Sequence, residues 1–316
     1  MSFTNDIKKE ISFAELDACC AKSELSAIIQ LTSSLTISNK QLRLVVRSEN
    51  PTTVKRAVVL LKELYKVQTE LTVAKKSNLK KNNIYIANVI ADGREILTDL
   101  GLYTENRGLL SHPTYLIVSK NCCAKNYLAG CFLAYGACNS PANKNYHLEI
   151  SLTDLDHANF VVKLMSRFNI EGKVSKRRNK YIVYLKKADS ISDFLRILGA
   201  NESLYEFEDS RISKDIKHSI VRMDNCEIAN EMKSLKAAES QVAYMELIKK
   251  ADKYNQLDEK LKNVIDIRLQ HQDYSLNELC ESYEKKYGES LSKSGLKHRL
   301  NKIESIAKSI QESDVE

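Results

Sequence analysis

The stretch Cys122-Cys123-Ala124-Lys125-Asn126-Tyr127-Leu128-Ala129-Gly130-Cys131-Phe132-Leu133-Ala134-Tyr135-Gly136 has a counterpart earlier in the chain. That counterpart is Cys19-Cys20-Ala21-Lys22-Ser23-Glu24-Leu25-Ser26-Ala27-Ile28-Ile29-Gln30-Leu31-Thr32-Ser33. Both open on Cys-Cys-Ala-Lys, reach leucine at the same place and run on apolar with small residues. They begin 103 positions apart. Solenoid repeats recur every ~20–50 residues, so this period suits a duplicated half-domain instead. Each copy reads as a helix packed on both sides. Ser26 and Ala27 in one, Ala129 and Gly130 in the other, allow two helix backbones to approach closely. Glycine within a helix costs ~1 kcal/mol against alanine, and a mutual contact supplies the reason. Two ordinary buried helices without that contact would leave Gly130 unexplained.

Working outward, the same order of elements follows each copy. A short helix covers Met1–Ile11, and the first central helix covers about Glu24–Ser34. Strands follow at Leu35–Ile37 and Gln41–Arg47. Asn50-Pro51 opens a helix, since proline is welcome in a first turn, and Val54, Ala57, Val58, Leu61 and Leu64 keep helical spacing. Strands Gln68–Ala74 and Ile84–Val89 flank a lysine-rich turn, and a helix at Arg94–Leu100 closes the unit. The second unit gives Ala137-Cys138, a strand Tyr146–Leu152, a helix Asp154–Phe168, strands at Lys173–Ser175 and Tyr181–Lys186, and a helix Ser190–Leu198. Between the units, Tyr115–Val118 reads as a strand. The architecture expected is α+β, a duplicated αββαββα with a pseudo-two-fold axis, followed by an all-α domain. The boundaries drawn are 1–221, with half-repeats about 19–103 and 122–200, then a linker helix over 222–256 and a helical domain over 257–316. Asn230–Lys250 carries the linking helix.

Composition narrows the class. The chain has 316 residues, 43% hydrophobic and 28% charged, with a formal charge of +7. That is ample for two globular domains, with a modest basic excess. No apolar run approaches the ~18 residues of a membrane span, and the N-terminus lacks the regions of a signal peptide. The expected location is cytoplasmic. Eight cysteines in such a chain point to reduced thiols. There is no C-x-x-C pair; the two doublets could together offer four sulfurs, but adjacent cysteines make a poor chelate, so they read better as small apolar groups packed near the helix starts. No metal and no cofactor is expected. The six histidines are scattered, and no phosphate loop, metalloprotease helix or nucleophile elbow is present.

Leu128–Gly136, its twin over 25–33 and the doubled αββαββα resemble the LAGLIDADG homing-endonuclease fold. In that family the last acidic residue of each motif holds the metal that cleaves DNA. Those positions here are Tyr135 and Thr32, and two residues earlier stand Leu133 and Gln30. The resemblance therefore implies a DNA-binding saddle whose metal chemistry lacks its carboxylates. Basic turns suit such a saddle. Lys75, Lys76, Lys80 and Lys81 crowd the first, and Lys173, Lys176, Arg177, Arg178, Lys180, Lys186 and Lys187 the second, without an acid between them. Paired hairpins could track phosphates with strong salt dependence. Solvated turns and a protein-docking surface would give the same pattern, and both readings stay open.

The C-terminal region is more specific. Ser275-Leu276-Asn277-Glu278 is a capping box, and its helix places Leu276, Leu279, Cys280, Tyr283 and Tyr287 on one face. After Gly288, Ser292 caps a second helix with the stripe Leu296, Leu300, Ile303, Ala307 and Ile310. Its other surface carries Lys293, Ser294, Lys297, His298, Arg299, Asn301 and Lys302. From Ser292 to Ile310 there are five Lys or Arg against one acid, Glu304, whereas the first helix holds Glu278, Glu281 and Glu284. A capped helix followed by a basic one is what a helix-turn-helix reader needs, with the second helix in the major groove. A plain helical hairpin shares the local pattern; the charge asymmetry favours DNA. On this reading Arg299→Ala weakens specific binding, by ~1–3 kcal/mol if the residue contacts a base.

Met1-Ser2-Phe3, the two Cys-Cys-Ala-Lys copies, Tyr146-His147-Leu148-Glu149-Ile150, Asn225-Cys226-Glu227-Ile228-Ala229-Asn230 and Leu291-Ser292-Lys293-Ser294-Gly295-Leu296-Lys297-His298-Arg299-Leu300 together resemble the WhiA family over nearly the whole chain. The resemblance implies a degenerate LAGLIDADG domain and a helix-turn-helix similar to sigma factor region 4. It also implies a nucleoid-associated, non-enzymatic regulator of transcription acting in cell division and chromosome segregation, and in sporulation in filamentous bacteria. Double-stranded DNA is the implied partner, with another transcription regulator or RNA polymerase as a further candidate. Two readings compete with it. One is an active endonuclease with other ligands such as Asp92 or Asp99, and the other is an interaction protein whose saddle docks a regulator.

Overall fold

The computed structural model describes residues 2–38, 41–75 and 83–313. Its contacts divide the chain into two units, Met1–Lys214 and Asp215–Glu316.

The first unit opens with α1 (Phe3–Ser12) and α2 (Ala18–Thr32), followed by β1 (Ser33–Ser38), β2 (Gln41–Ser48), α3 (Pro51–Tyr65), β3 (Gln68–Lys75), β4 (Asn83–Ile90) and α4 (Gly93–Asp99). A two-stranded hairpin, β5 (Tyr103–Thr104) with β6 (Gly108–Leu109), bridges to the second half. That half runs α5 (Asn121–Tyr135), β7 (Gly136–Cys138), β8 (Leu148–Leu152), α6 (Leu155–Ser166), β9 (Lys173–Arg177), β10 (Lys180–Leu185) and α7 (Ala188–Leu198). The sheets have equivalent orders, β1-β2-β4-β3 and β7-β8-β10-β9, and every pairing is antiparallel. The αββαββα unit is therefore present twice.

Local chemistry sets the ends of these elements. Asn50 accepts from the Thr52 amide to start α3, with Pro51 at its first position, and Lys66 ends it in the left-handed conformation. Asp154 starts α6 by accepting from the amides of Asp156 and His157. Both central helices begin one residue before their cysteine doublets, so α2 starts earlier than the Glu24 expected. They pack against each other where Gly130 meets Ala27 and the Glu24 carbonyl. A Cβ on Gly130 would lie 2.4 Å from that oxygen and 2.8 Å from the Ala27 Cβ. The duplicated stretch is thus a mutual contact, tied further by Ser23 Oγ donating to the Cys123 carbonyl at 2.7 Å. Leu25, Ile28, Leu128, Phe132 and Leu133 are fully buried in the core that this contact organises.

Residues Tyr115–Val118 form a 3₁₀ turn, where a strand was expected. The β-branched run suggested pairing, but Ile117 and Ser119 donate to the carbonyls of Thr114 and Leu116. Val118 is buried there while Leu116 is exposed, so the segment caps the central helices and pairs with no strand.

After Gly199, which takes φ +76° to end α7, the chain enters α8 (Asn201–Lys250). The linking helix was expected over 222–256, and over Asn230–Lys250 most clearly; it begins at Asn201. Glu10 of α1 explains the start. Its carboxylate accepts from the Glu202 and Ser203 amides and from the Ser203 hydroxyl, satisfying donors orphaned at the helix N-terminus. Residues 215–237 are exposed throughout, so this part of α8 shows no buried stripe for periodicity to detect. The division between units falls at Lys214, earlier than the 221 drawn from sequence.

In the second unit, α9 (Glu259–Gln270), α10 (Leu276–Tyr287) and α11 (Lys293–Ser313) pack with the end of α8 around Met245, Ile248, Val264, Ile265, Leu279 and Ile303.

One buried pair makes a pH prediction. His157 is 2% exposed, and its Nε2 lies 2.8 Å from the Tyr127 hydroxyl. Burial, with His112 adding to it, lowers its pKa to about 4. An unfolded histidine titrates near 6.5, so the unfolded chain takes up the proton first. Stability is full above pH 6.5 and falls as pH drops towards 4, by about 3 kcal/mol. Urea unfolding of the first unit at pH 7 and pH 4.5 measures this, with His157→Gln as the comparison. A slope identical in the two proteins would contradict it.

Candidate nucleic-acid interface

A basic polar surface lies on α11, and two devices set it up. Arg268 on α9 is 2% exposed and donates from Nη1 to the Tyr274 carbonyl at 2.6 Å, fixing the segment that enters α10. Ser275 then caps α10. Its amide donates to Glu278 Oε2 at 2.7 Å, and the Glu278 amide donates back to Ser275 Oγ at 3.4 Å. The bond from the Ser275 amide holds the Glu278 carboxyl below its ordinary range. Gly288 closes α10 at φ +70°, a conformation that costs glycine nothing. Five residues later α11 begins, with the Gly295 amide donating to Ser292 Oγ.

Leu296, Leu300, Ile303 and Ala307 face inward from α11. Lys293, Ser294, Lys297, His298, Asn301 and Lys302 are exposed on the opposite side, spaced at helical intervals. Among the described residues no carboxylate pairs with Lys293, Lys297 or Lys302, whereas Lys308 is held by Glu304 at 2.8 Å. This face has the donors and charge that base edges and phosphates accept. Ser275 and Ser292 serve as helix caps.

Arg299 is placed differently from its neighbours. It is half-buried, donates from Nη1 to the Tyr283 hydroxyl at 2.9 Å and lies 5.3 Å over that ring. Its guanidinium therefore joins α11 to α10, and truncating it would disturb the helix pair as well as any DNA contact. The sequence showed its charge but not that Tyr283 is the residue beneath it. Arg268 was missed for the same reason: nothing local marks a basic residue as buried.

The sheets of the first unit carry the second basic surface. Strand alternation sorts the second hairpin. Val174 and Val183 pair across β9 and β10 on the core side, so Lys173, Arg177 and Lys180 share the outer side. Lys176 pairs with Tyr181 on the other parity and lies over its ring, while Arg178 sits in the turn at φ +56°. Arg43 and Arg47 of β2 are exposed on the outer side of the first sheet, opposite the buried Leu44 and Val46. Their i, i+4 spacing within a strand, which keeps both on one face, was the signal available for them. Lys75 is exposed at the end of β3. Lys76, Lys80 and Lys81 lie outside the described residues.

At the ends of the central helices, Tyr135 and Thr32 occupy the positions where the resemblance would put carboxylates. The Tyr135 ring is part-exposed with Lys180 Nζ 5.2 Å from its centre. Thr32 is buried and donates to the Ile28 carbonyl, Gln30 donates to the carbonyls of Leu110 and Ser111, and Leu133 is wholly buried. The alternative ligands are otherwise engaged. Asp92 caps α4 through the Arg94 amide. Asp99 accepts from Lys22 at 2.7 Å and from the Tyr65 hydroxyl at 2.8 Å. Burial works against its charge, and those two bonds outweigh it, keeping the carboxyl below its usual range. Among the described residues the one gathering of metal-ligand types is Cys19, Cys20, Cys122 and Cys123. The sequence offered these four sulfurs together but favoured packing, since adjacent cysteines chelate poorly; in the structure all four lie within 4.8 Å of one another.

Comparisons with known proteins agree with this layout. Three family models match: the WhiA N-terminal LAGLIDADG-like domain over residues 18–103, the WhiA LAGLIDADG-like domain over 124–217 and the WhiA C-terminal HTH domain over 220–307. The chain is 40% identical over 311 residues to a probable cell division protein WhiA of Bacillus cytotoxicus, covering 98% of each. Its match to the Bacillus mycoides protein of that description has the same identity and coverage. The crystal structure of full-length DUF199/WhiA from Thermatoga maritima superposes with a TM-score of 0.61 at 24% identity, covering 98% of this chain and 99% of that one. The chain belongs to the WhiA family.

Proposed function

We propose that this chain is a non-enzymatic, sequence-specific double-stranded-DNA-binding protein that regulates transcription in cell division, the process for which its Bacillus relatives are named. The observation that carries the reading is the exposed, unpaired basic face of α11 on a capped helix-turn-helix. Lys293, Ser294, Lys297, His298 and Lys302 meet the major groove, and Arg299 holds the helix in place. Lys173, Arg177, Lys180, Arg43 and Arg47 add phosphate contacts. A cytoplasmic, nucleoid-associated location follows, and no helix among the described residues is long and apolar enough to cross a membrane.

Fluorescence anisotropy of the intact chain on genomic duplexes across a salt series tests this. Each phosphate contact adds about 0.9 to the slope of log affinity against log salt. Lys297→Glu with Lys302→Glu should lower the slope by about 2 and the affinity by roughly 30- to 100-fold at physiological salt. Unaltered binding would remove α11 from the interface.

Leu71 and Val73, both about 60% exposed on β3, favour a second reading in which the first unit docks another regulator or RNA polymerase. Lys173→Ala with Arg177→Ala separates the two: an unchanged salt slope would favour docking. For the enzyme reading, nicking of supercoiled plasmid with Mg²⁺, abolished by Asp99→Asn, would overturn the non-enzymatic assignment.

A further inference from the structure

The cysteine doublets occupy the second and third positions of α2 and α5, and the pseudo-two-fold faces one against the other. Their four Sγ atoms lie within 4.8 Å of one another. Thiolates bound to a single Zn²⁺ sit ~2.3 Å from it, which puts tetrahedral neighbours ~3.8 Å apart. Side-chain rotations closing the group by less than about an ångström would reach that geometry. A cluster of several irons would need its outer sulfurs spread more widely than one ion does, so the spacing selects a mononuclear site. Packing of small apolar thiols does not account for the arrangement, because Cys19 and Cys122 are exposed while Cys20 and Cys123 are buried. One exposed and one buried sulfur from each helix leaves a path for an ion to enter and a firm seat for it.

The surroundings suit four thiolates. Both doublets stand on first helical turns, where the helix dipole favours negative charge. The cleft beside Cys19 and Cys123 is lined by Lys22, Arg94 and Lys120 and equally by Glu95, Asp99 and Glu105, with Lys22 already paired to Asp99, so the helix termini are what favour the thiolates. The Ser23 hydroxyl holds the Cys123 carbonyl, fixing the backbone behind one ligand.

We propose that Cys19, Cys20, Cys122 and Cys123 form a structural tetrathiolate site for one soft divalent cation, Zn²⁺ above all. Four thiols release four protons to water as the ion binds, and no electron moves. The site staples α2 to α5 at their N-termini. It lies twelve residues, about 18 Å of helix, from the Thr32 and Tyr135 end. All four positions of the ion are taken by protein, which is the mark of a structural centre.

The test uses the untagged full chain, purified in a non-thiol reductant without chelator. Elemental analysis should give one zinc per chain, and cobalt replacement should give the sulfur-to-metal charge-transfer and intense d–d bands of tetrahedral thiolate cobalt. Adding Zn²⁺ to the metal-free chain should raise the unfolding temperature of the first unit. In Cys19→Ser with Cys122→Ser, whose exposed positions leave the core intact, zinc should bind at least about 100-fold more weakly with no such rise. Zinc affinity equal in wild type and the double variant would overturn the proposal. Disulfides that use up these thiols in the protein as isolated from cells would overturn it too.

Discussion

Arg56→Met should destabilise the first unit by about 3–5 kcal/mol, the cost of stranding a buried charge. Glu24 is fully buried on α2, and Arg56 of α3 donates to its Oε1 from Nε at 2.6 Å. The same guanidinium donates from Nη2 to the Ala14 carbonyl at 2.9 Å, so one side chain ties α3 to α2 and to the segment before it. Burial raises the Glu24 pKa, and Arg56 works against that rise. Methionine keeps much of the volume while removing the partner. Glu24 must then ionise unaided or bind a proton, and its Oε2 has no partner to begin with. Adding Glu24→Leu to the variant should recover much of the loss, since apolar replacements of buried ion pairs are often neutral. Urea unfolding of the four-member cycle measures it, with the second unit as internal reference. A loss below 1 kcal/mol for Arg56→Met would show that the pair is not buried as described.

Gly130→Val should cost about 3 kcal/mol or more through overpacking. A Cβ there meets the Glu24 carbonyl oxygen at 2.4 Å, a backbone atom that no rotamer change can move aside. Helix propensity pulls weakly the other way, since glycine is the poorer helix former by ~1 kcal/mol. Gly130→Ala should therefore be the milder variant and still destabilising. Thermal unfolding that ranks valine below alanine below wild type supports a mutual helix contact. Stabilisation by alanine would mean that α2 and α5 stand further apart.

Much of this fold was legible because its signals are local. Two copies of one helix, proline and asparagine at the start of α3, and the capping box at Ser275 each act within a few residues. The 3₁₀ turn at Tyr115–Val118 was misread because β-branched residues signal a strand whether or not a partner strand exists. The start of α8 was missed because Glu10 caps it from 192 positions away. On α11, helical spacing identified the buried apolar stripe, while Arg299, read as part of the outer face, is half-buried against Tyr283. What spacing could not supply was pairing in space: Arg299 with Tyr283 and Lys180 with Tyr135. Each joins residues that no sequence window contains together.

The central claim is that α11 selects DNA sequence. Selection of genomic fragments by the intact chain, sequenced before and after, measures this directly for wild type and for Lys297→Ala with His298→Ala. Both residues are exposed, so the variant keeps its core. A defined site enriched by wild type and lost in the variant, with weak general affinity retained, is the result expected. The same site enriched equally by both proteins would contradict the account.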